Sequence, residues 1–233
     1  KAAGGAAAAA TAASGASAPG TAAAAPPTRE EKLRRLASNG WSVRHLFKQR
    51  EFPERPGLTE EQKKRREQFR QEREAWKKKY GEITLLDFPQ FTRDTFPGLT
   101  HMDLWSSLFG DVTDDSMYAQ TQMTFGGNTR TSYEFDPSTP SAKKWLDKLA
   151  SSIAKTGVKC HHVSNNAPRD ICDLDPAKRR AGIEVAKKWL DGSAQIGAKT
   201  MRVNTGGPRI VPEATATRDY PRNDEIVKYL SNA

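Results

Sequence analysis

The chain has 233 residues, which is enough for one or two domains, and it carries a net charge of +9 with only 36% hydrophobic residues. No run of about 18 bulky apolar residues is present, so the sequence predicts no transmembrane helix and no membrane partner. Two cysteines are too few for a disulfide-rich scaffold, and they are compatible with both a reducing and an oxidising compartment.

The first 28 residues form an Ala/Gly/Pro-rich segment with almost no large side chains. Such a composition cannot bury enough apolar surface to fold, so we expect a disordered tail over 1–28. Small residues also dominate near the cleavage sites of export signals. An exported or periplasmic location and a cytoplasmic one therefore both stay open.

The positive charge is concentrated in residues 29–79, which hold 17 Lys/Arg and 9 Asp/Glu. Within this region Thr59 and Gln62 form a capping-box signature, and good helix formers continue to Tyr80. Because its bulky apolar residues are few, we expect a peripheral charged helix over 59–80. A basic surplus can indicate a polyanion partner, but interspersed glutamates disfavour nucleic acid here.

The remaining pattern alternates strands and helices. Strands are predicted near 39–47, 100–105, 158–164 and 199–204, a helix over 83–96, a long polar loop over 110–138, and helices opened by Thr139-Pro140 and Asp175-Pro176. Strands that alternate with helices predict a parallel sheet. About four βα units correspond to half of a (β/α)8 TIM barrel, so the predicted fold class is α/β with a partial barrel.

A short repeat supports this organisation. The pentapeptide Lys-Lys-Trp-Leu-Asp occurs at 143–147 and again at 187–191, each time before a glycine and a strand-like segment. A unit of roughly 40 residues with the order helix, strand and polar loop is typical of repeated β/α architectures.

Strand parity gives the candidate site residues. If Val163 and Val203 face the helices, then Cys160, His162, Ser164, Thr200, Arg202 and Asn204 face the barrel axis. Polar residues at the carboxyl ends of barrel strands line the active-site mouth. The substrate-binding candidates are therefore His162, Arg202 and Asn204, with Trp105 at the end of the second strand. The alternative is that the polar side chains only form hydrogen bonds to loops and hold the barrel rim.

Gly206 and Gly207 follow the last predicted strand. Two glycines let backbone amides approach a sugar hydroxyl or a phosphate closely, and we include both in the predicted substrate site. A tight turn requires the same residues.

A zinc site is not expected from the cluster Cys160, His161, His162 and Cys172. Adjacent strand residues point to opposite faces, so the two histidines cannot easily share one metal, and no second pair of zinc ligands follows.

Three segments resemble the sugar phosphate isomerase/epimerase family of the xylose isomerase-like TIM barrel superfamily. They are Asp175–Ile183, Lys188–Asp191 and Gly197–Gly207, with looser similarity at 36–41 and 101–105. The resemblance implies metal-dependent proton transfer on a sugar or sugar phosphate. It also implies a divalent Mn or Mg ion held by Glu, Asp and His near the ends of the later strands.

The resemblance covers residues 29–233, which correspond only to the N-terminal half of such a barrel. We therefore expect the catalytic residues beyond residue 233, no metal site in this chain, and no turnover by this chain alone. A non-catalytic half-barrel subunit or remnant is the alternative, and an abasic-site endonuclease-like protein is a third interpretation. Because a half-barrel leaves sheet edges unpaired, we expect self-association or a complementary half-barrel partner.

Overall fold

The computed structural model describes residues 26–51, 57–125, 128–173 and 175–205. The elements in chain order are α1 (Arg29–Leu33), β1 (Ser38–Asn39), α2 (Glu60–Tyr80), α3 (Phe88–Thr95), β2 (His101–Trp105), β3 (Tyr118–Phe125), β4 (Asn128–Phe135), α4 (Pro140–Thr156), β5 (Lys159–Ser164), α5 (Pro176–Gln195) and β6 (Thr200–Met201). Two short 3-10 helices, Ser106–Leu108 and Asp115–Met117, lie between β2 and β3. The predicted tail over 1–28 falls almost entirely outside the described residues.

The predicted parallel sheet is confirmed. Strands β1, β2, β5 and β6 pair in that order, and every pair is parallel. Helices alternate with these strands, as in a partial TIM barrel, and the described strands form no closed barrel. Both edge strands are shorter than predicted: β1 ends at Asn39, where turns begin, and β6 ends at Met201.

The long loop predicted over 110–138 is wrong. Strands β3 and β4 form an antiparallel hairpin in register from Tyr118 opposite Phe135 to Phe125 opposite Asn128. Phe135 is buried in the core, so the hairpin is anchored at its base by an apolar side chain. The polar alternation along both strands is typical of a half-exposed hairpin.

The two repeated helices are capped as predicted. Thr139 and Asp175 accept hydrogen bonds from the backbone N–H of Ala142 and Ala177, which satisfies free donors in each first turn. Gly157 follows α4 with φ +72°, a left-handed conformation that glycine adopts without strain.

Two other helix predictions need correction. The apolar periodicity of α5 predicts that Trp189 and Leu190 both face inward, but Leu190 is 51% exposed while Trp189 is buried. The helix predicted over 83–96 begins only at Phe88. Ile83 instead forms a bridge with Phe47, and the Asp87 carboxylate accepts hydrogen bonds from Thr84 in an intervening turn.

The hydrophobic core lies on one face of the parallel sheet. It brings the alternate strand residues Met102, Leu104 and Val163 against helix residues such as Leu146 and Trp189. Helix α2 contributes no buried residue, in agreement with its thin apolar stripe. Within the described residues, no helix combines the length and the apolar composition needed to span a bilayer.

Candidate functional site

The other face of the sheet carries a row of polar side chains that the strand register creates. Asp103 is the partner of Asn39 on one neighbouring strand and of His162 on the other, and His162 is the partner of Thr200. Paired residues of adjacent parallel strands point to the same side of a sheet. We use the name polar face for the set Asn39, Asp103, Trp105, His162, Ser164 and Thr200.

A β-bulge determines which residues of β5 reach the polar face. The β2–β5 register shifts between Met102 and Asp103, so that Met102 pairs with Cys160 while Asp103 pairs with His162. The extra residue breaks the period of two. Cys160 was predicted to face the axis, and this is wrong: it lies in the core, where burial raises the pKa of its thiol to about 12.

Asp103 is the residue that the sequence interpretation missed. Its Oδ2 accepts hydrogen bonds from Asn39 Nδ2 at 2.7 Å and from Ser164 Oγ at 3.0 Å. Its Oδ1 is buried and has no hydrogen-bond partner among the described residues. The sequence contains a signal for this residue: the apolar Met102 and Leu104 mark the core face of β2, so that Asp103 between them belongs to the opposite face.

The hydrogen bonds of His162 define which ring nitrogen is free. Thr200 Oγ1 donates its proton to the His161 carbonyl at 3.0 Å, so it can only accept from His162 Nδ1, which lies 2.9 Å away. In the neutral ring the proton is therefore on Nδ1, and Nε2 is an acceptor. No hydrogen bond from a described residue reaches Nε2.

Two indole rings contact each other at the polar face, one of them a member of that set. Trp105, a predicted substrate-binding residue, contacts Trp41 edge-on with ring centroids 4.4 Å apart. The Arg44 guanidinium lies 4.1 Å from the centroid of the Trp41 ring, which is nevertheless 48% exposed. Exposed indole surface thus lies beside the polar side chains of the sheet.

Arg202 and Asn204 already have partners in the loop after β5. Arg202 donates from Nε to the Asn165 carbonyl at 2.8 Å and from Nη2 to Asn166 Oδ1 at 2.7 Å. Asn204 Nδ2 donates to the Asn166 carbonyl at 3.1 Å. These bonds hold the rim of the sheet, the alternative role considered for both residues, and their part in substrate binding stays a prediction.

Three residues at or after the last predicted strand remain to be placed, Val203, Gly206 and Gly207. Val203, expected to face the helices, is 40% exposed because β6 ends before it. Gly206 and Gly207 lie outside the described residues.

A basic cluster lies at the amino ends of the same strands. The His101 and His161 rings meet edge-on with centroids 5.6 Å apart. Burial, together with the positive charges of His161, Lys159 and Lys199, lowers the pKa of His101. This cluster adjoins the polar face, since His101 precedes Asp103 by two residues on β2 and pairs with Lys159 at the start of β5.

A shallow depression of about 580 Å³ lies elsewhere, between the 3-10 helix Asp115–Met117 and the start of α4. Its lining includes Asp114, Ser141 and Lys144, and it contains no residue of the polar face. Among the described residues no group of three or more His, Cys, Asp or Glu side chains is arranged to hold a metal ion.

Comparison with known proteins gives little beyond this geometry. No family model matches the chain, and no curated protein matches it. Among solved structures, the apo form of 3-keto-D-glucoside 4-epimerase from E. coli is similar with a TM-score of 0.39 and 14% identity over 64% of this chain. The chain spans 43% of that protein's length. A similarity at this level leaves the polar face itself as the basis for functional inference.

Proposed function

We propose that the chain is a sugar isomerase/epimerase-like protein whose polar face binds a sugar or sugar phosphate. The observation that carries this proposal is the continuous row Asn39, Asp103, His162 and Thr200 across four parallel strands. Trp105 and Ser164 extend this row to the carboxyl ends of β2 and β5, and ligands of parallel α/β sheets and barrels bind at such strand ends. The row lies beside exposed indole surface and offers acceptors that match sugar hydroxyl groups.

In this proposal Asp103 and His162 orient the sugar, and His162 Nε2 is also able to take a proton from a bound hydroxyl. Trp105, Arg202, Asn204, Gly206 and Gly207 complete the substrate site. Arg202 would do so from the rim, since its guanidinium holds the loop at Asn165 and Asn166. Proton transfer between adjacent carbons requires a base within hydrogen-bond reach of the carbon-bound proton.

A divalent Mn or Mg ion, implied by the family resemblance, would polarise the sugar carbonyl when bound. The polar face offers one carboxylate and one imidazole, which do not make up the expected Glu, Asp and His ligand set. The described residues therefore do not fit this ion, and metal dependence is proposed only for a longer protein. Calorimetry with Mn²⁺ and Mg²⁺ should show no tight binding by the 233-residue chain.

Incorporation of solvent deuterium tests the proposed reaction class. Sugars and sugar phosphates are incubated in D2O with the chain, and with the chain joined to any continuation that its gene encodes, with and without Mn²⁺. We expect both proteins to bind sugar and only the longer one to place deuterium on the carbon next to the carbonyl. Absence of binding and of exchange with every sugar and both proteins would contradict the proposal.

A binding module without activity is the second candidate, and the short edges of the sheet favour it. Strands β1 and β6 each pair over two residues and form the two edges of the sheet among the described residues, where another chain could pair. A nucleic-acid function has less support. In α2, Glu60 and Glu67 form ion pairs with Lys63 and Arg70 and neutralise part of the basic surface.

A further inference from the structure

We infer that the polar face captures an uncharged, hydroxyl-bearing part of its ligand, and that no phosphate group binds between Asp103 and His162. This inference rests on the proposed function and narrows its substrate class. It assigns to Asp103 Oδ1 and His162 Nε2 the role of paired acceptors for two neighbouring hydroxyl groups.

The carboxylate of Asp103 supplies the first acceptor. Asn39 and Ser164 fix the carboxylate by donating to Oδ2 at 2.7 and 3.0 Å, so its orientation is set before any ligand arrives. Oδ1 is buried without a partner in the described part of the chain. A buried acceptor without a donor is costly, and a ligand hydroxyl would relieve that cost.

His162 supplies the second acceptor on the adjacent strand. Thr200 orients the ring by accepting from Nδ1, and no described residue donates to Nε2, again without any contribution from a ligand. Asp103 and His162 are register partners, and paired strands lie about 4.8 Å apart. Two hydroxyl groups on adjacent sugar carbons can therefore each donate to one of these acceptors.

The same chemistry disfavours a phosphate at this place. A phosphate group offers mainly acceptor oxygens, and a carboxylate repels its negative charge. The guanidinium groups of Arg202 and Arg44 are engaged elsewhere: Arg202 donates to the loop at Asn165 and Asn166, and Arg44 stacks on Trp41.

The substitution Asp103→Asn tests the inference by the sign of its effect. The amide oxygen can keep the hydrogen bonds from Asn39 and Ser164, so an NH2 donor replaces the free Oδ1 acceptor. The probes are D-glucose, D-fructose, their 6-phosphates and inorganic phosphate, and binding is measured by calorimetry and by tryptophan fluorescence.

We expect the uncharged sugars to bind the unmodified chain and Asp103→Asn to weaken this binding roughly 10- to 100-fold, as for loss of a hydrogen bond to a charged group. His162→Asn gives an independent check, because its amide can still donate to Thr200 while the Nε2 acceptor is lost; it should weaken binding in the same direction. The matched control Asp94→Asn, on the exposed side of α3, should leave binding unchanged. Unfolding curves establish that each variant is folded.

Several results would overturn the inference. They are tighter binding of sugar phosphates by Asp103→Asn, competition by inorganic phosphate, loss of sugar binding on addition of EDTA, and failure of every uncharged sugar to bind. This inference and the proposed function can fail independently of each other. Asp103-dependent sugar binding without deuterium exchange in any form of the protein would leave the inference standing and refute the isomerase/epimerase activity.

Discussion

At the scale of single residues, His101 couples stability to pH. Burial is the main cause of its lowered pKa, followed by the positive charges of His161, Lys159 and Lys199. The unfolded chain, in which the pKa of His101 has its ordinary value of 6.5, therefore binds a proton at a pH where folded His101 does not. The stability contributed by neutral His101 is present above that value and is lost as pH falls through the folded pKa.

We expect the free energy of unfolding in urea to fall between about pH 7.5 and about pH 5.5. The substitution His101→Gln should flatten this dependence. The substitution should not abolish the pH dependence, because burial also lowers the pKa of His45. An unchanged slope in His101→Gln would show that the histidine cluster does not form as described.

Single residues also show where the alternation of side chains along a strand predicts the correct face of the sheet and where it does not. His162, Ser164 and Thr200 lie on the predicted side because they follow the bulge or lie on another strand. Cys160 precedes the bulge, and its side was predicted wrongly. A bulge depends on contacts between two strands far apart in sequence, which a period of two within one strand does not contain.

At the scale of elements, Arg50 attaches the β3–β4 hairpin to the segment before α2. Its guanidinium lies 4.0 Å from the ring centroid of Tyr133 and 4.9 Å from that of Tyr118, and it forms an ion pair with Asp115. The Arg50 side chain is only 16% exposed, so these contacts are weakly screened by solvent.

The substitution Arg50→Lys keeps the charge and removes the planar group that stacks on both rings. We expect it to lower the free energy of unfolding by about 1–2 kcal/mol. The matched control Arg44→Lys removes a stack on one exposed ring, Trp41, and should cost about 0.5–1 kcal/mol. Equal losses in the two variants, measured by urea unfolding, would contradict the anchoring role of Arg50.

The hairpin was the largest element that the sequence interpretation missed, although its signals were present. Gly126-Gly127 separates two stretches of alternating side chains, a strong local hairpin signal, but the polar composition of 110–138 favoured a loop. The capped helices α4 and α5 were predicted closely because capping residues and apolar periodicity are local. The first strand was overestimated, since of the predicted residues 39–47 only Asn39 lies in β1 and pairs with β2.

At the scale of the whole molecule, the sheet has short edge strands, and exposed apolar side chains lie close to them. Val203 lies just beyond β6, and Trp41 lies just beyond β1. Edges that the described residues leave unpaired are templates for association, so we expect a concentration-dependent dimer or larger assembly in sedimentation experiments.

The substitution Val203→Lys should weaken this association by placing a charge next to β6. The control Leu190→Lys changes another exposed apolar residue, on α5, and should have little effect. A chain that stays monomeric at all concentrations, unfolds cooperatively and binds no hydrophobic dye would argue against association through the sheet edge.

The central claim is that ligand binds on the polar face of the parallel sheet, and chemical-shift mapping by NMR with an added uncharged sugar tests it most directly. We predict that the imidazole signals of His162 and the indole N–H of Trp105 shift together as the sugar is titrated. The side chains around the depression at Ser141 and Lys144 should not respond. Shifts confined to that depression, with His162 and Trp105 unaffected, would contradict the account.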